Sequence, residues 1–399
     1  MIMLSNDKIR IRAYHLGQGE CFLVQFNDRK KRSILIDFGA PSSHPLSELS
    51  AVAKDVAEQS NGKLDAVVIT HDHADRISGF LSTHEVFNES IEVDEVWINA
   101  VCDIDEEDEL SESLHACRNL VSPFRKVLSE SKAKVEQDFK YRLENNSDVQ
   151  SHLEYICGMV KENRIRHLER TDQPPRLRFS SNVGLNVHSP LEGIGNYDDD
   201  YRQNQISSIH TRLKTRLEHN PDEGDYLHPM FGDSYNRTLK PSHISDSDFR
   251  TLRRKNFILG TSEYGLVEKA IDNSALIFTL EINGKKLLFA GDITEANWYW
   301  MNFCLECCEL EDPDPECPKC EQLKNQWANL DFCKVTSHVL DYEHENEILN
   351  LISPESQLLL TKHPNGETNK LIQKSKKKHG SNLTVINSTS NQLWSDIYV

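Results

Sequence analysis

The stretch that decides the fold is Leu64-Asp-Ala-Val-Val-Ile-Thr70, followed at once by His71-Asp-His-Ala-Asp-Arg-Ile-Ser-Gly79. The first part is short, apolar and rich in valine and isoleucine, which is typical of a buried β-strand. Directly after it, His71, His73 and Asp75 place metal-ligating side chains on one short loop. Loops at the ends of rigid strands hold ligands well, and imidazole with carboxylate suits Zn²⁺, with Mn²⁺ or Fe²⁺ as alternatives. The stretch therefore predicts a metal site.

The length and composition of the chain limit the number of domains and the general class of protein to which it can belong. A chain of 399 residues can form one large domain with insertions, or two domains. A hydrophobic content of 38% is typical of a rather polar globular protein. No apolar run approaches the roughly 20 residues that cross a bilayer, and the first residues lack the basic-then-apolar layout of a secretory signal. We therefore expect a cytoplasmic protein that does not associate with membranes.

The charge of the chain limits the classes of molecule that it is expected to bind. A formal net charge of −18 argues against broad, non-specific binding of nucleic acid, which depends on neutralising phosphates with lysine and arginine. It does not exclude a nuclease, since bound metal ions and a local basic face can handle phosphate. The 10 cysteines of a cytoplasmic chain are expected to be thiols and metal ligands rather than disulfides.

Apolar and alternating runs predict two β-rich stretches separated by a region of different character. Before that region, strands are predicted at 8–14, 21–26, 32–39, 64–70 and 93–99, with a helix at 44–60. After it, two strands flank the Asn283-Gly284 pair between residues 273 and 292, which is a strong hairpin signal. Further strands are predicted at 330–335, 357–361, 382–387 and 392–399.

The region between these stretches predicts an insertion. Residues 103–172 begin with an acidic patch and continue with helical periodicity and many charges. Residues 195–256 are polar and carry few long apolar runs, which is typical of loops or irregular structure. We therefore divide the chain into residues 1–102, an insertion or cap at residues 103–260, and residues 261–399.

Several motifs, in this order along the chain, resemble those of a known family. His71-Asp-His-Ala-Asp75 resembles the His-x-His-x-Asp-His signature of the metallo-β-lactamase superfamily. Other stretches are similar to the branch that includes the metallo-β-lactamase domain of the DNA-uptake protein ComEC, namely His15-Leu-Gly-Gln-Gly-Glu20, Ile34-Leu-Ile-Asp-Phe-Gly39, Asn273-Ser274, Leu287-Leu-Phe-Ala-Gly-Asp292 and Lys334-Val-Thr-Ser-His338. The resemblance implies the α/β class: an αββα metallo-β-lactamase sandwich, with 1–102 and 261–399 as its two halves and a large helical or irregular insertion between them.

The resemblance also implies which residues bind metal. In the superfamily the two histidines of the signature, here His71 and His73, bind one ion, and the aspartate, here Asp75, binds a second. The aspartate of the Gly-Asp motif, here Asp292, bridges the ions, and His338 is the candidate distal histidine. An anionic bridge makes chemical sense, because two dications about 3.5–4 Å apart need negative charge between them. The alternatives are that Asp292 is an ordinary turn or helix N-cap residue and that His338 is a loop histidine.

Position 76 departs from the signature, because Arg76 stands where most hydrolases of the superfamily have histidine. The change removes one nitrogen from the second metal position, so either one or two ions, Zn²⁺ or Mn²⁺, are expected. Asp75 is the candidate catalytic residue: it binds the second ion, or it orients the water molecule if that position is empty. Arg76 either pairs with a nearby carboxylate, contacts an anionic substrate, or braces the loop through a salt bridge.

Four cysteines predict a second metal site. Cys304 and Cys307 form one Cys-x-x-Cys pair, Cys317 and Cys320 form another, and a short proline-bearing loop separates the pairs. Such pairs are typical of structural zinc, since four thiolates complete a closed tetrahedron. We predict a small zinc-knuckle insertion at residues 304–320 that stabilises the fold or docks a partner. The alternative is a chance cluster of cysteines in a reducing compartment.

These features lead to a first hypothesis and two alternatives. The first is a metal-dependent, nuclease-like hydrolase that activates water and cleaves a phosphodiester. Only the resemblance to the ComEC-like branch supplies that substrate class, and the acidic charge favours a nucleotide or single-stranded nucleic acid over long duplex DNA. One alternative is a non-catalytic, zinc-stabilised subunit of a larger assembly that binds a protein partner through its insertions. The other is hydrolysis of an amide, a thioester or a lactam.

Overall fold

The computed structural model describes a defined part of the chain: residues 8–28, 30–42, 44–99, 149–171, 177–178, 182–190, 275–291, 301, 317–335, 352–353, 355–361, 372, 375–386 and 392–399. Contacts within the chain group Met1–Asp103, Asp148–Glu192 and Asp272–Val399 into one compact unit, which contains every described residue. A second unit, Ile104–Ser147 with Gly193–Ile271, lies outside the described residues.

The described part of the chain contains β-strands throughout and helices mainly in its first half. The strands are β1 Arg10–Tyr14, β2 Cys21–Asp28, β3 Lys30–Phe38, β4 Lys63–Leu64, β5 Ala66–Ile69, β6 Glu92–Val93, β7 Val96–Asn99, β8 Ile165–Leu168, β9 Val183–Ser189, β10 Ile277–Ile282, β11 Lys285–Ala290, β12 Phe332–Val335, β13 Gln357–Thr361, β14 Leu383–Ile386 and β15 Trp394–Tyr398. The helices are α1 Leu46–Ser60, α2 Ala74–Ser82, α3 His84–Ser90, α4 Val149–Gly158 and α5 Pro318–Gln326, with short 3₁₀ turns at 162–164, 327–329 and 380–382.

Two large sheets carry most of these strands. The first has the order β15-β1-β2-β3-β5-β7-β8, in which β15 to β3 pair antiparallel and β3 to β8 pair parallel. The second has the order β14-β13-β12-β11-β10-β9, in which β9, β10 and β11 pair antiparallel and β11 to β14 pair parallel. The short strands β4 and β6 form a separate parallel pair.

The two sheets face each other across an apolar core, and each has a second core on its outer face. Side chains of both sheets form the central layer, with Phe22 and Trp97 from the first sheet and Phe278 and Phe289 from the second. On the outer face of the first sheet, α1, α2, α3 and α4 cover a second cluster. On the outer face of the second sheet, a third cluster includes Trp327. This arrangement confirms the predicted α/β class and is consistent with the αββα metallo-β-lactamase sandwich.

Local sequence explains where these elements begin and end. In α1 the buried residues Leu49, Val52, Ala53 and Val56 follow helical spacing, so one face packs on the first sheet while Glu48 and Glu58 face outward. The helix ends at a left-handed residue, Asn61, whose backbone N–H bonds back to the last turn. The hairpin between β10 and β11 turns through Asn283 and Gly284, both with positive φ, which is the geometry that an Asn-Gly pair favours.

Part of the predicted insertion belongs to the sheets. Within 103–260, β8 pairs with β7 at the edge of the first sheet, and β9 pairs with β10 at the edge of the second. The helical periodicity predicted there is met by α4, whose Leu153 and Ile156 are buried. The role of the rest of this stretch as a cap stays a prediction.

Among the helices of the described residues, none combines the length and apolar character that spanning a bilayer requires.

Candidate functional site

The predicted metal loop lies at one end of the first sheet. β5 ends at Ile69, the loop continues through His71 and His73, and α2 begins at the next residue, Ala74. Because β3, β5 and β7 run parallel, the loop lies at the edge where their carboxyl ends meet, which is where α/β proteins commonly carry their sites. His71, His73 and Asp75 are all buried, with at most 3% of each residue exposed.

The structure brings the two imidazole rings of this loop together. The ring centroids of His71 and His73 lie 4.8 Å apart, with the ring planes at 81°. Such an edge-to-face pair lets two neighbouring imidazoles share one ion, provided that the correct ring nitrogens carry their lone pairs. For His71, a hydrogen-bond relay behind the ring determines which of its nitrogens carries the lone pair.

The relay runs from Asp37 through Thr70 to His71. The backbone N–H of Thr70 donates to Asp37 Oδ1 at 2.8 Å, and the Thr70 hydroxyl donates to Asp37 Oδ2 at 2.7 Å. The hydroxyl has a single proton, so with Asp37 ionised its 3.1 Å contact to His71 Nδ1 requires the ring to donate. The remaining nitrogen, Nε2, then carries the lone pair, which is the form in which a histidine can bind metal. Burial raises the pKa of Asp37 to about 7, while the hydrogen bonds from Thr70 act in the opposite direction.

Asp75 is held on the other side of the loop by Arg76. Asp75 lies in the first turn of α2, where the helix dipole favours a carboxylate. Its Oδ2 is 3.0 Å from Nη1 of Arg76, and that guanidinium also donates to the backbone carbonyl of Gln18 at 3.2 Å. Arg76 is only 1% exposed. Of the roles expected for Arg76, the geometry therefore favours bracing the loop and pairing with carboxylates over contact with a substrate in solution.

Two further charged residues extend this arrangement and were not predicted as functional. Glu20 Oε2 lies 3.6 Å from Nε of Arg76 and accepts a hydrogen bond from the ammonium group of Lys334. The same ammonium group donates to the carbonyl of Ala290 at 2.8 Å. The signal in the sequence was a lysine in the otherwise apolar strand β12, because a lysine buried there requires an anionic partner.

Glycines let the backbone of the first turn of α2 approach the sheet. A Cβ atom at Gly39 would lie 2.5 Å from the carbonyl carbon of Asp75, and one at Gly19 would lie 2.0 Å from the carbonyl oxygen of Gly39. The backbone N–H of Glu20 donates to the carbonyl of Asp75 at 3.3 Å in the same region. The glycine-rich turn of the sequence therefore serves as a close-fitting support for the residues after the histidines.

The segment that leads to Asp292 reaches the histidine loop. Asp292 itself lies outside the described residues, but Gly291 directly before it is described. A Cβ atom at Gly291 would lie 3.3 Å from Cβ of Thr70, the residue before His71. The backbone N–H of Leu276 donates to the carbonyl of Thr70 at 2.6 Å. The ends of β11 and β5 are thus adjacent.

The other predicted ligands are only partly described. His338 lies outside the described residues, three positions after β12 ends at Val335. Cys304 and Cys307 lie outside them too. Cys317 directly precedes α5 and its carbonyl accepts a hydrogen bond from the N–H of Glu321 at 3.0 Å, while Cys320 is buried in the first turn. Neither Cys317 nor Cys320 is in a disulfide bond.

His188 is engaged in the second sheet. Its Nε2 lies 2.7 Å from the hydroxyl of Thr279, and its ring packs edge to face on Trp327 at 5.0 Å. Burial, together with the charge of Arg170, lowers the pKa of His188 to about 3. The structure therefore gives the residue a neutral packing role in β9, and we do not assign it to the metal site.

The described residues include ligand types that suit a divalent ion, but too few of them are described to complete a metal site. Two buried imidazoles, one held with Nε2 as acceptor, suit Zn²⁺. In the described part of the chain, no group of at least three His, Cys, Asp or Glu side chains is arranged around one position. Oδ2 of Asp75 pairs with Arg76. The predicted ligands Asp292 and His338 lie outside the described residues, in the segments that follow β11 and β12.

Comparisons with known proteins agree with this architecture. Residues 15–115 match the family model described as the metallo-beta-lactamase superfamily. No curated protein sequence matches the chain. Among solved structures, the chain is similar to the metallo-beta-lactamase fold protein YhfI from Bacillus subtilis, with 11% identity, a TM-score of 0.40, and 98% of this chain and 100% of that chain covered. It is also similar to unliganded yeast PDE1, with 10% identity, a TM-score of 0.36 and the same coverage.

Because both TM-scores lie below 0.5, these two likenesses carry no weight for fold or function. The family-model match stands independently of them and spans β2, β3, β5 and the whole histidine loop. Members of that superfamily are usually hydrolases and generally bind Zn²⁺. Residues 15–115 of the 399-residue chain are thus similar to that superfamily, and the two facing sheets are consistent with its fold.

Proposed function

We propose that this protein is a metal-dependent hydrolase whose active site lies at the His71 loop. The observation that carries the proposal is the relay from Asp37 through Thr70 to His71, next to the ring of His73. A histidine that only fills a core does not require its tautomer to be fixed by a buried carboxylate. A histidine that binds metal generally has such a partner on its other nitrogen.

His71 and His73 would hold the ion, and Asp75, Asp292 and His338 are the proposed further ligands. When bound, a divalent ion supplies a Lewis acid that makes water nucleophilic near neutral pH. The residues of the chain set the ring orientation of His71 and exclude bulk water from the loop, since the described members of the site are buried. Asp75 would orient the attacking water or join the ligands after leaving Arg76.

We propose a phosphodiester in a nucleotide or single-stranded nucleic acid as the substrate. The resemblance of the motifs to the ComEC-like branch supports this class, and the net charge of −18 disfavours long duplex DNA. The insertion outside the described residues would then form a cap that sets selectivity or binds a protein partner. An amide, thioester or lactam is the competing substrate class.

Metal analysis and hydrolysis assays test this proposal together. We expect the purified wild-type protein to carry an ion at the His71 loop, and His71→Ala and Asp75→Ala to lose it. With added Mn²⁺ or Zn²⁺, the wild type should hydrolyse bis(p-nitrophenyl) phosphate or labelled single-stranded nucleic acid, whereas nitrocefin should remain intact. Full metal content in both variants would refute the assignment of the site, and turnover of nitrocefin alone would refute the substrate class.

A specific observation favours a second candidate, a non-catalytic subunit of a larger assembly. The carboxylate of Asp75 is paired with Arg76, and that pair weakens the case for a second ion. If this candidate holds, the wild type will bind metal at the His71 loop and yet hydrolyse none of the three substrates. The relay behind His71 supports metal binding in both candidates, so the hydrolysis assays decide between them.

We also propose a structural zinc at Cys304, Cys307, Cys317 and Cys320. In the described part, Cys317 and Cys320 flank the first turn of α5, a spacing that lets both thiolates face one ion. Its role would be to stabilise the segment between β11 and β12. In the doubly substituted Cys317→Ser/Cys320→Ser protein we expect the loss of one zinc per chain while the ion that depends on His71 remains. An unchanged zinc content would refute the knuckle.

A further inference from the structure

A buried chain of alternating charges connects the two sheets beside the histidine loop. It runs from Asp75 to Arg76, then to Glu20 and finally to Lys334, and each of the four residues is at most 2% exposed. Two carboxylates and two cations make the chain neutral. Glu20 stands at the end of the glycine-rich turn before β2, whereas Lys334 comes from β12 in the second sheet.

The ammonium group of Lys334 lies where several segments meet. It donates to Glu20, it donates to the carbonyl of Ala290 at 2.8 Å, and it lies 5.5 Å from the ring centroid of Phe22. Ala290 is the last residue of β11 and stands two positions before Asp292. Lys334 itself stands four positions before His338. One side chain thus joins the segments that lead to both of the remaining proposed ligands.

Stability alone gives little reason for a charge at this position. Taking a lysine and a glutamate out of water costs several kcal/mol per ion, and replacing a buried ion pair by apolar residues is often neutral or stabilising. The neighbours of Lys334 along β12, Phe332, Cys333 and Val335, are buried as well. A methionine would fill the same strand position without an anionic partner. The lysine is instead able to fix the end of β11 relative to the turn that carries Glu20.

We infer that Lys334 is a positioning residue for the metal site. Together with Glu20 it holds the ends of β11 and β12 against the Arg76 and Asp75 side of the histidine loop. This inference rests on the proposed function, because it concerns how ligands from separate segments are held at one ion. It adds a role for Lys334 and Glu20 that does not involve contact with the ion or with substrate.

The test is a double-variant comparison with two readouts, the affinity for Co²⁺ and the free energy of unfolding of the metal-free protein. The variants are Lys334→Met, Glu20→Gln and the combination of both, with Lys285→Met as the matched control. Lys285 is a lysine of the neighbouring strand β11 that pairs with Asp331 at 2.8 Å while half-exposed. The difference between the visible spectra of Co²⁺-loaded wild type and His71→Ala isolates the ion at the loop from any ion held by thiolates.

We expect Lys334→Met and Glu20→Gln each to weaken Co²⁺ binding at the loop by about 10- to 100-fold, the range found when partners behind metal ligands are removed. Glu20→Gln leaves the buried ammonium group of Lys334 without its carboxylate, and Lys334→Met leaves Glu20 with Arg76 as its cation, so both should lower stability. The combined variant should regain stability but keep the weak affinity and an altered Co²⁺ spectrum. Lys285→Met should leave the affinity and the spectrum unchanged.

Two results would overturn the inference. Wild-type affinity in Lys334→Met would do so directly, and so would a combined variant that regains stability, affinity and spectrum together, since Lys334 would then serve the fold alone. If Lys334→Met does not fold, the combined variant still decides the question. Failure of the proposed function gives a different result: the wild type itself would show no Co²⁺ signal that depends on His71.

Discussion

Gly291 packs directly on Thr70, so that a Cβ atom at position 291 would lie 3.3 Å from Cβ of Thr70 and 3.0 Å from Cβ of Ala275. The contact joins the carboxyl end of β11 in the second sheet to the carboxyl end of β5 in the first. One of these residues directly precedes His71 and the other directly precedes Asp292. Two motifs more than two hundred residues apart in the sequence are thereby carried to the same edge of the sandwich.

Replacing Gly291 with alanine should loosen this junction. The new methyl group would also meet the carbonyl of Leu276 at 3.1 Å, so the neighbouring backbone must move by a few tenths of an ångström. We expect a loss of about 1–3 kcal/mol in the free energy of unfolding, together with weaker binding of metal at the His71 loop. Urea denaturation and metal titration measure the two effects.

Gly158 offers the matched control for this change. It lies at the end of α4, and a Cβ atom there would have no neighbour within 4 Å. Gly158→Ala should therefore be neutral or stabilising by up to about 1 kcal/mol, because alanine restricts the unfolded chain. Equal losses in both variants would show that the Gly291 contact has no special role.

Gly39→Ala should be more damaging than Gly291→Ala. A Cβ atom at Gly39 would lie 2.5 Å from backbone atoms of both Asp75 and Ile77, and backbone cannot turn aside as a side chain can. We expect a loss of roughly 3 kcal/mol or more in stability, and a shift of the first turn of α2. Amide hydrogen exchange should show faster exchange in α2 than in α1. Unchanged exchange in α2 would contradict the close packing of this turn.

Most of the fold could be predicted from local patterns. The strand-rich first hundred residues, the Asn283-Gly284 hairpin and the later parallel strands all follow from the spacing of apolar residues and from turn chemistry. β8 was harder to recognise, because Ile165-Arg-His-Leu168 is short and carries polar residues in its centre. It is stabilised as an edge strand by pairing with β7, a tertiary contact that its own sequence does not encode.

The site could be predicted less completely, because its ligands and their supports differ in sequence signal. His71, His73 and Asp75 are close in sequence, so a single motif reveals them. Glu20 and Lys334 are 314 positions apart, and only the packing of one sheet on the other brings them together. A residue that supports metal ligands through a buried charge can be recognised in the sequence only as a single polar residue within an apolar strand.

Arg12 should contribute strongly to the stability of the first sheet. Its guanidinium bonds both oxygens of Asp396 at 2.7 and 2.8 Å, contacts Asp55 at 2.8 Å, and lies 4.5 Å from the ring centroid of Trp394. It thereby ties β1 to α1 and β15. Arg12→Met leaves Asp55 without its cation and leaves Asp396 with Arg10 at 4.0 Å, and we expect a loss of about 3 kcal/mol in the free energy of unfolding.

An exposed ion pair supplies the comparison for Arg12. Lys63 and Glu92 are 3.7 Å apart with half or more of each side chain exposed. Such pairs contribute little because solvent screens them, so Lys63→Met should change stability by no more than about 0.5 kcal/mol. Urea denaturation of both variants provides the measurement, and a similar loss in the two would contradict the strong contribution of the buried cluster.

His188 should make the fold sensitive to acid. Burial lowers its pKa to about 3 in the folded protein, whereas an unfolded histidine titrates near its ordinary value of 6.5. Between these values the unfolded chain binds a proton that the folded protein does not, so stability is full above about pH 6.5 and falls as the pH decreases toward 3. The slope from this one group is about 1.4 kcal/mol per pH unit.

His188→Asn should remove that slope while keeping a polar partner for Thr279, and His167→Gln, a change at an exposed histidine, should retain it. Thermal denaturation of the three proteins from pH 7 to pH 4 provides the measurement, and parallel curves for wild type and His188→Asn would show that His188 titrates normally in the fold.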